Sequence, residues 1–216
     1  MNSYTYRYRL SRKASNLTSH VLGGKNYLKR KYKIGVMGSA GEKENSRVAL
    51  LSYRIGKEIA LQRAVLLTGG CPGIPHCAVR GVIEAGGMTV AISPAINRRS
   101  HVYDFSYPLD SETIIFTGMG NKGRNVVLVR SCDACIFVSG GIGTLNEFTI
   151  AFDELAENNV LGILEGSGGF SNKYIELAGS VEKKTRATII SEADPKKLVE
   201  RVIELLEQLD TNDNLC

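Results

Sequence analysis

Short apolar runs alternate with helix-like stretches from Lys33 almost to the end of the chain, and that alternation constrains the fold more than any other feature. Strand-like runs are read at Lys33–Gly38, 64–68, Met88–Ser93, 113–117, 133–139, Val160–Leu164 and 187–190. Helix-like segments fall at about 46–62, 75–85, 122–131, 144–157, 172–178 and 194–208. In the first of these, Val48, Leu51, Ile55 and Ile59 share one face. Strand–helix–strand order predicts parallel strands joined by crossover helices. The expected fold is therefore α/β, a Rossmann-like doubly wound parallel sheet with helices on both faces, in a single domain over residues 33–210. A basic arm at 1–32 precedes it and a short tail at 211–216 follows. Residues 94–110 form the one long stretch without a predicted element, and loops of that length are more often functional than decorative.

The charge is distributed unevenly. The whole chain carries +5, yet residues 1–33 hold nine Lys and Arg and no acid. Residues 34–216, with 18 basic and 22 acidic groups, therefore carry −4. Tyr4, Tyr6, Tyr8, Tyr27 and Tyr32 interleave with the basic residues, which is the composition of a tail that contacts RNA or DNA. A solvated N-terminal extension explains the same composition and is favoured, because nothing else in the arm specifies a nucleic-acid module. At 43% hydrophobic and 23% charged, the chain has a globular rather than a disordered composition. No apolar run approaches the roughly 18 residues of a membrane span, so no membrane partner is expected. Five dispersed cysteines, an odd number, suit a reducing, cytoplasmic setting better than a disulfide framework.

Three glycine-bearing turns fall at strand carboxyl ends: Gly38-Ser39-Ala40-Gly41, Gly69-Gly70-Cys71-Pro72-Gly73 and Gly140-Gly141-Ile142-Gly143-Thr144. In an open parallel sheet, ligands bind outside those ends, where the strand order reverses. Glycine lets backbone N–H groups come close to a ligand, and a helix starting there adds its positive end. One such turn could be nothing more than a tight connection; three predicted at one sheet edge argue for an anion, most simply a phosphate. Gly38, Ser39, Gly69, Gly70, Gly73, Gly140, Gly141, Gly143 and Thr144 are the candidate phosphate-binding residues.

Two further motifs bear on chemistry. Gly118-Met119-Gly120-Asn121-Lys122-Gly123 matches G-x-G-x-x-G, but it lies late in the chain with no acidic residue placed to hold a ribose, and no Walker A lysine motif is present. Hydride transfer and ordinary phosphate-loop ATPase chemistry are disfavoured. Thr144 and Glu147 have the T-x-x-E spacing of a capping box, in which Glu147 would satisfy a backbone donor. Spacing leaves equally open that Glu147 faces the cleft as a general acid or base, or as a stabiliser of positive charge on a sugar. Arg124 opens the helix before the fifth strand. A cation there opposes the helix dipole and asks for an anionic partner, either a phosphate or Glu147 itself.

The segment from Arg124 to Glu147 resembles the signature of the Lonely Guy family, cytokinin-activating phosphoribohydrolases formerly described as lysine-decarboxylase-like. Arg124 stands fifteen positions before Ser139, followed by G-G-I-G-T-L-N-E, and Asp133 fits the pattern. Gly69-Gly70-x-x-Gly73 and Glu84-Ala85-Gly86-Gly87 resemble that family's second glycine motif. Ser139 stands where the family has proline, Asn125 where it has lysine and Pro75 where it has methionine. The openings Ile34–Gly38 and Leu66–Gly70 are similar to the sister branch that includes the molybdenum cofactor carrier proteins. The resemblance implies hydrolysis of the N-glycosidic bond of a nucleoside 5′-monophosphate to free base and ribose 5-phosphate. It casts Glu147 as the catalytic carboxylate, Arg124 as its catalytic partner, and the backbone at Gly141, Gly143 and Thr144 as the phosphate holder. The sister branch implies the alternative of a non-hydrolytic carrier or sensor of a phosphorylated cofactor or nucleotide. Either way the ligand is a nucleotide or another phosphorylated small molecule, no cofactor is implied, and a homodimer or larger homo-oligomer is expected.

The cysteines are expected to be structural. Cys132-Asp133-Ala134-Cys135 is C-x-x-C, but it runs straight into an apolar strand and no second pair exists. Cys71 and Cys77 flank Pro72-Gly73-Ile74-Pro75-His76 in a predicted cleft loop, and a metal there is not expected. His20 and His101 find no partner by spacing.

Overall fold

Burial with a period of two sorts the strand side chains to the two faces of one sheet. Ile34 and Val36, like Ala134, Ile136 and Val138, enter one buried cluster, while Met37, Cys135 and Phe137 enter another. The computed structural model describes residues 31–43 and 45–213. His20 and nearly all of the basic arm expected at 1–32 lie outside the described residues. Seven strands, β1 (Lys33–Gly38), β2 (Val65–Thr68), β3 (Met88–Ser93), β4 (Thr113–Phe116), β5 (Ala134–Val138), β6 (Val160–Leu164) and β7 (Thr188–Glu192), pair in the order β4-β3-β2-β1-β5-β6-β7. Every pair is parallel. The helices are α1 (Arg47–Leu61), α2 (Ile74–Glu84), α3 (Arg98–Tyr103), α4 (Gly120–Arg130), α5 (Ile142–Glu154), α6 (Lys173–Ser180) and α7 (Pro195–Asp213).

Both sheet faces are covered. Ile55 and Ile59 of α1, Ala78 and Val82 of α2, and Leu198 and Val202 of α7 close the first cluster. Leu128 and Val129 of α4, Phe148 and Ala151 of α5, and Tyr174 of α6 close the second. The single-domain, Rossmann-like doubly wound fold expected from the alternation is thus the one observed. A parallel sheet buried on both faces needs near-continuous apolar strands, and all five residues of β5 and of β6 are buried.

Element boundaries depart from expectation where caps decide them. The stretch 94–110 is not wholly irregular: Asn97 accepts a hydrogen bond from the Ser100 amide (2.9 Å) and starts the short α3. Helix α7 opens beside Asp194, whose carboxylate accepts from the Lys197 amide (2.9 Å), and it continues past residue 208 to Asp213. The side chain of Tyr32 is buried in the first cluster, and its hydroxyl donates to Asp210 (2.8 Å).

The order of strands places a switch point between β1 and β5. The chain leaves β1 toward β2 on one side and leaves β5 toward β6 on the other, so the loops at their carboxyl ends diverge and open a crevice. Helix α4 is the crossover that returns from the edge strand β4 to central β5, and it brings its side chains to that crevice.

Candidate functional site

A cavity of about 340 Å³ lies at the switch point, lined by the turn after β1 (Gly38, Ser39, Ala40), the start of α5 (Gly141, Gly143, Thr144, Glu147), α4 (Asn121, Lys122, Arg124, Asn125), Cys71 and Tyr107. That volume falls within the range of small-molecule sites. A larger hollow of about 470 Å³ lies elsewhere, between α4, α5 and α6. It is lined mainly by apolar residues such as Phe152 and Leu177, and its charges include the exposed Lys183–Asp153 pair.

The wall at α5 is built by a sharp turn. Ser139 (φ +52°) and Gly140 (φ +100°) both sit in the left-handed region as the chain leaves β5. The Ser139 amide donates to Ser167 Oγ (2.8 Å), whose hydroxyl donates to the Leu164 carbonyl (2.7 Å), so two strand ends brace the turn. Gly141 then caps α5 without any side-chain hydrogen bond. The first amides of a helix have no acceptor within it, so those of Ile142, Gly143 and Thr144 face outward at its positive end. A Cβ on Gly141 or Gly143 would meet nothing within 4 Å among the described residues, which leaves their backbone open to a ligand. The helix starts at Ile142, before Thr144. Thr144 and Glu147 are therefore inside it, and the capping-box alternative for Glu147 is set aside.

Glu147 instead turns to α4. Its Oε1 lies 3.4 Å from Arg124 Nη1, with the two side chains only 10% and 5% exposed. Burial pushes the Glu147 carboxyl up to about 7, and the positive charges of Arg124 and Lys122 pull it back only in part. With its amide nitrogen turned toward Glu147, Asn125 donates to Oε1 (3.2 Å) and to the Asn121 carbonyl (2.9 Å). Among the described residues, Arg124 Nε is buried without a hydrogen-bond partner, an orphan donor at the cavity wall. Beneath the guanidinium lies Gly69, where any Cβ would collide with it. Burial also pushes the Cys71 thiol up to about 11, so it lines the cavity as a neutral group.

The predicted site residues divide in two. Gly38, Ser39, Gly141, Gly143, Thr144, Arg124 and Glu147 are brought together around the cavity. Gly69, Gly70, Gly73 and Gly140 are not on its lining. Gly69 makes room for Arg124, and Gly73 (φ +74°) packs against the Ser39–Ala40 backbone. A Cβ on Gly70 would lie 3.1 Å from the His101 ring, and one on Gly140 would press on Thr144. They shape the walls through close packing. Sequence reasoning missed Tyr107, Asn121 and Lys122 as lining residues; the G-x-G-x-x-G match and the long 94–110 segment marked their neighbourhoods without marking the residues. Cys71, placed in a cleft loop by the sequence, is on the lining as well.

His101, without an expected partner, is fully buried between Ser93 Oγ (2.8 Å from Nδ1) and the Pro108 carbonyl (2.8 Å from Nε2). Cys132 and Cys135 are buried, and Cys132 Sγ donates to the Leu128 carbonyl (3.2 Å). Among the described residues no group of three or more His, Cys, Asp or Glu is arranged to hold a metal ion, and no helix is long and apolar enough to cross a membrane.

The SLOG cluster4 family model matches residues 31–199. The chain belongs to the SLOG cluster4 family. The SLOG superfamily includes Lonely Guy-like proteins, in agreement with the resemblance carried by the Arg124–Glu147 segment. This SLOG protein is 41% identical over 123 residues to an uncharacterized protein of Archaeoglobus fulgidus, covering 56% of this chain and 74% of that one. Its fold is similar to that of the molybdenum cofactor binding protein from Rippkaea orientalis (30% identity, TM-score 0.61, 84% of this chain and 99% of that one). It is also similar to the molybdenum cofactor carrier protein of Chlamydomonas reinhardtii (26% identity, TM-score 0.63, 82% and 99%). The protein TM1055 shares the fold at 24% identity with a TM-score of 0.65, over 82% of this chain and 99% of that one.

Proposed function

We propose that this SLOG protein binds a nucleotide or similarly phosphorylated small molecule in the switch-point cavity and hydrolyses the N-glycosidic bond of a nucleoside 5′-monophosphate. The observation that carries the proposal is the buried Arg124–Glu147 pair set into the cavity wall beside the open amides at the start of α5. The phosphate rests on the amides of Gly143 and Thr144, with Lys122 adding positive charge. This leaves the ribose next to Glu147. As the C1′–N bond breaks, positive charge develops on the ribose, and the ionised Glu147 carboxylate stabilises it inside a site partly shielded from water. Glu147 takes the proton of the attacking water as its oxygen bonds to C1′; the base leaves with the bonding electron pair and takes up that proton, which restores the carboxylate. A carboxyl near 7 suits that proton transfer at neutral pH. Arg124 keeps the carboxylate aimed at the cavity.

A second reading is favoured by the likeness to the molybdenum cofactor binding protein of Rippkaea and the molybdenum cofactor carrier protein of Chlamydomonas. The same amides and lysine would then hold the phosphorylated cofactor without turnover. Incubation with a panel of nucleoside 5′-monophosphates, scored for free base and ribose 5-phosphate, separates the two. Hydrolysis should fall by about 10²–10⁴-fold in Glu147→Ala. Hydrolysis unchanged in that variant removes the mechanism. A tightly held, co-purified ligand with no product from any nucleotide selects carriage.

A further inference from the structure

The cavity lining is polar, charged or small nearly throughout: glycine amides, Ser39, Thr144, Asn121, Asn125, Lys122 and the Arg124–Glu147 pair. Such a wall holds a phosphate and sugar hydroxyls, but it offers a flat ring no broad apolar surface. Among the described residues, Tyr107 is the one aromatic that lines the cavity. It reaches the cavity from the β3–β4 connection, whereas the α5 amides follow β5. In the sheet order β3 and β5 stand three strand spacings apart, about 14 Å. A ligand with its phosphate on α5 therefore extends toward Tyr107.

The surroundings of Tyr107 are built to hold it. Ser106, just before it, is forced to φ +55°, a conformation that non-glycine residues rarely adopt. The Tyr107 amide donates to the His101 carbonyl (3.0 Å), and the next carbonyl, that of Pro108, accepts from His101 Nε2 (2.8 Å). The carbonyl can only accept, so Nε2 carries a proton. Nδ1 meets Ser93 Oγ, which also accepts from the Ala95 amide (3.1 Å), and this ties the whole connection to the end of β3. The His101 ring packs edge-on to Tyr107 with centroids 5.5 Å apart. At the tip, the Tyr107 hydroxyl donates to Asn121 Oδ1 (3.1 Å) on α4.

We infer that Tyr107 is the specificity-determining residue of this site, stacking on the planar heterocycle of a phosphorylated ligand, and that buried His101 is the positioning residue that sets it there. The inference rests on the reading of the cavity as a phosphorylated-ligand site. It holds for either hydrolysis or carriage, since it concerns recognition of the ring.

The test is calorimetric titration of the full chain with AMP, GMP and ribose 5-phosphate, in a Glu147→Gln background so that turnover does not consume the nucleotide. The three probes share the phosphate and sugar, and ribose 5-phosphate lacks the ring. Tyr107→Ala should weaken binding of at least one nucleotide about tenfold to a hundredfold, the range of aromatic–base stacking, while ribose 5-phosphate changes by less than about twofold. Tyr107→Phe should recover most of that loss. His101→Gln should produce a smaller loss with the same split between nucleotide and ribose 5-phosphate, and it should have no further effect on nucleotide binding once Tyr107 is Ala. Equal weakening of all three probes, or no weakening of the nucleotides, overturns the stacking role. A His101→Gln loss that persists undiminished in the Tyr107→Ala background overturns the positioning role. Failure of the Tyr107-intact protein to bind any of the three probes overturns the inference together with the cavity reading beneath it, a result distinct from binding all three without preference, which overturns the inference alone.

Discussion

Replacing Glu147 by Gln should make the protein more stable at alkaline pH and change how its stability depends on pH. The carboxyl titrates at about 7 in the fold against an ordinary value of 4.5. Between those two values the folded state holds a proton that the unfolded chain has released, so folding stability falls as pH rises through this window. Below 4.5 both states are protonated and nothing is lost; above 7 both are ionised and the loss is complete. The gap corresponds to about 3 kcal/mol, of which roughly 2–3 kcal/mol falls between pH 5 and pH 8. Glutamine keeps the shape of the protonated acid and cannot ionise. Urea unfolding of wild type and Glu147→Gln at pH 5, 6, 7 and 8, without ligand, isolates this one group because the other titrations are common to both. The stability of the variant relative to wild type should climb by that amount over the series. A difference that is flat with pH, or that declines, would show Arg124 holding Glu147 ionised throughout, and would refute the balance in which burial outweighs the 3.4 Å ion pair.

For the proposed hydrolysis the same titration would set the pH profile: with Glu147 acting as carboxylate, kcat/KM should rise as pH passes about 7 and then level, and a profile that falls through 7 would assign the acid form instead. Gly69→Ala should displace the Arg124 guanidinium, which is the flexible end of a side chain, so ligand affinity should fall at least tenfold while urea stability falls by only about 1–2 kcal/mol. By contrast, Gly81→Ala meets the backbone of Tyr53 and Lys57 where α1 and α2 cross, and should cost about 2 kcal/mol or more in the same unfolding assay. Asp133→Ala removes the acceptor of the Lys33 amide (2.7 Å) and of the Lys33 ammonium (2.8 Å) at the start of β1, with an expected loss of about 1–3 kcal/mol.

The fold was legible because its signals are local and repeated. Alternating apolar runs and glycine punctuation need no knowledge of which strands pair, and every strand is found within two residues of its expected limits. The site was legible only in part. The turn glycines announced a crevice, but a glycine that opens its amide to a ligand (Gly141, Gly143) and one that yields space to a neighbour (Gly69, Gly73) are identical in sequence. Only the far side of the contact distinguishes them, and for Gly69 that side is Arg124, 55 positions along the chain. Likewise T-x-x-E spacing cannot tell a capping box from a carboxylate deeper in the helix, because the decision rests on whether the helix begins at Thr144 or at Ile142. Left-handed Ser139 and Gly140 decide it, and Ser139 is a residue type from which that conformation would not be read. His101 was illegible for the same reason: both of its partners, Ser93 and the Pro108 carbonyl, are set by the path of one loop rather than by a spacing rule.

The topology explains why Arg124 and Glu147 meet at all. β4 ends the sheet on one side, and the chain must travel back past β3, β2 and β1 before laying down β5. A crossover of that reach cannot be a tight turn, so it is a helix, α4, and α5 begins a few residues after β5 beside it. The two helices share the buried cluster on one face of the sheet. A residue near the start of each therefore points to the same crevice, at the one place where adjacent loops diverge. Burying two charges there is costly, and an apolar pair would serve stability better. A carboxyl lifted to about 7 is strain that the fold does not need for its own sake. Strained, half-satisfied ionic groups in a switch-point cavity are what a site for charged chemistry requires, and the orphan Arg124 Nε marks the same spot. The increase in stability expected of Glu147→Gln, set against the loss of hydrolysis expected of Glu147→Ala, would place that tension between stability and function on one side chain.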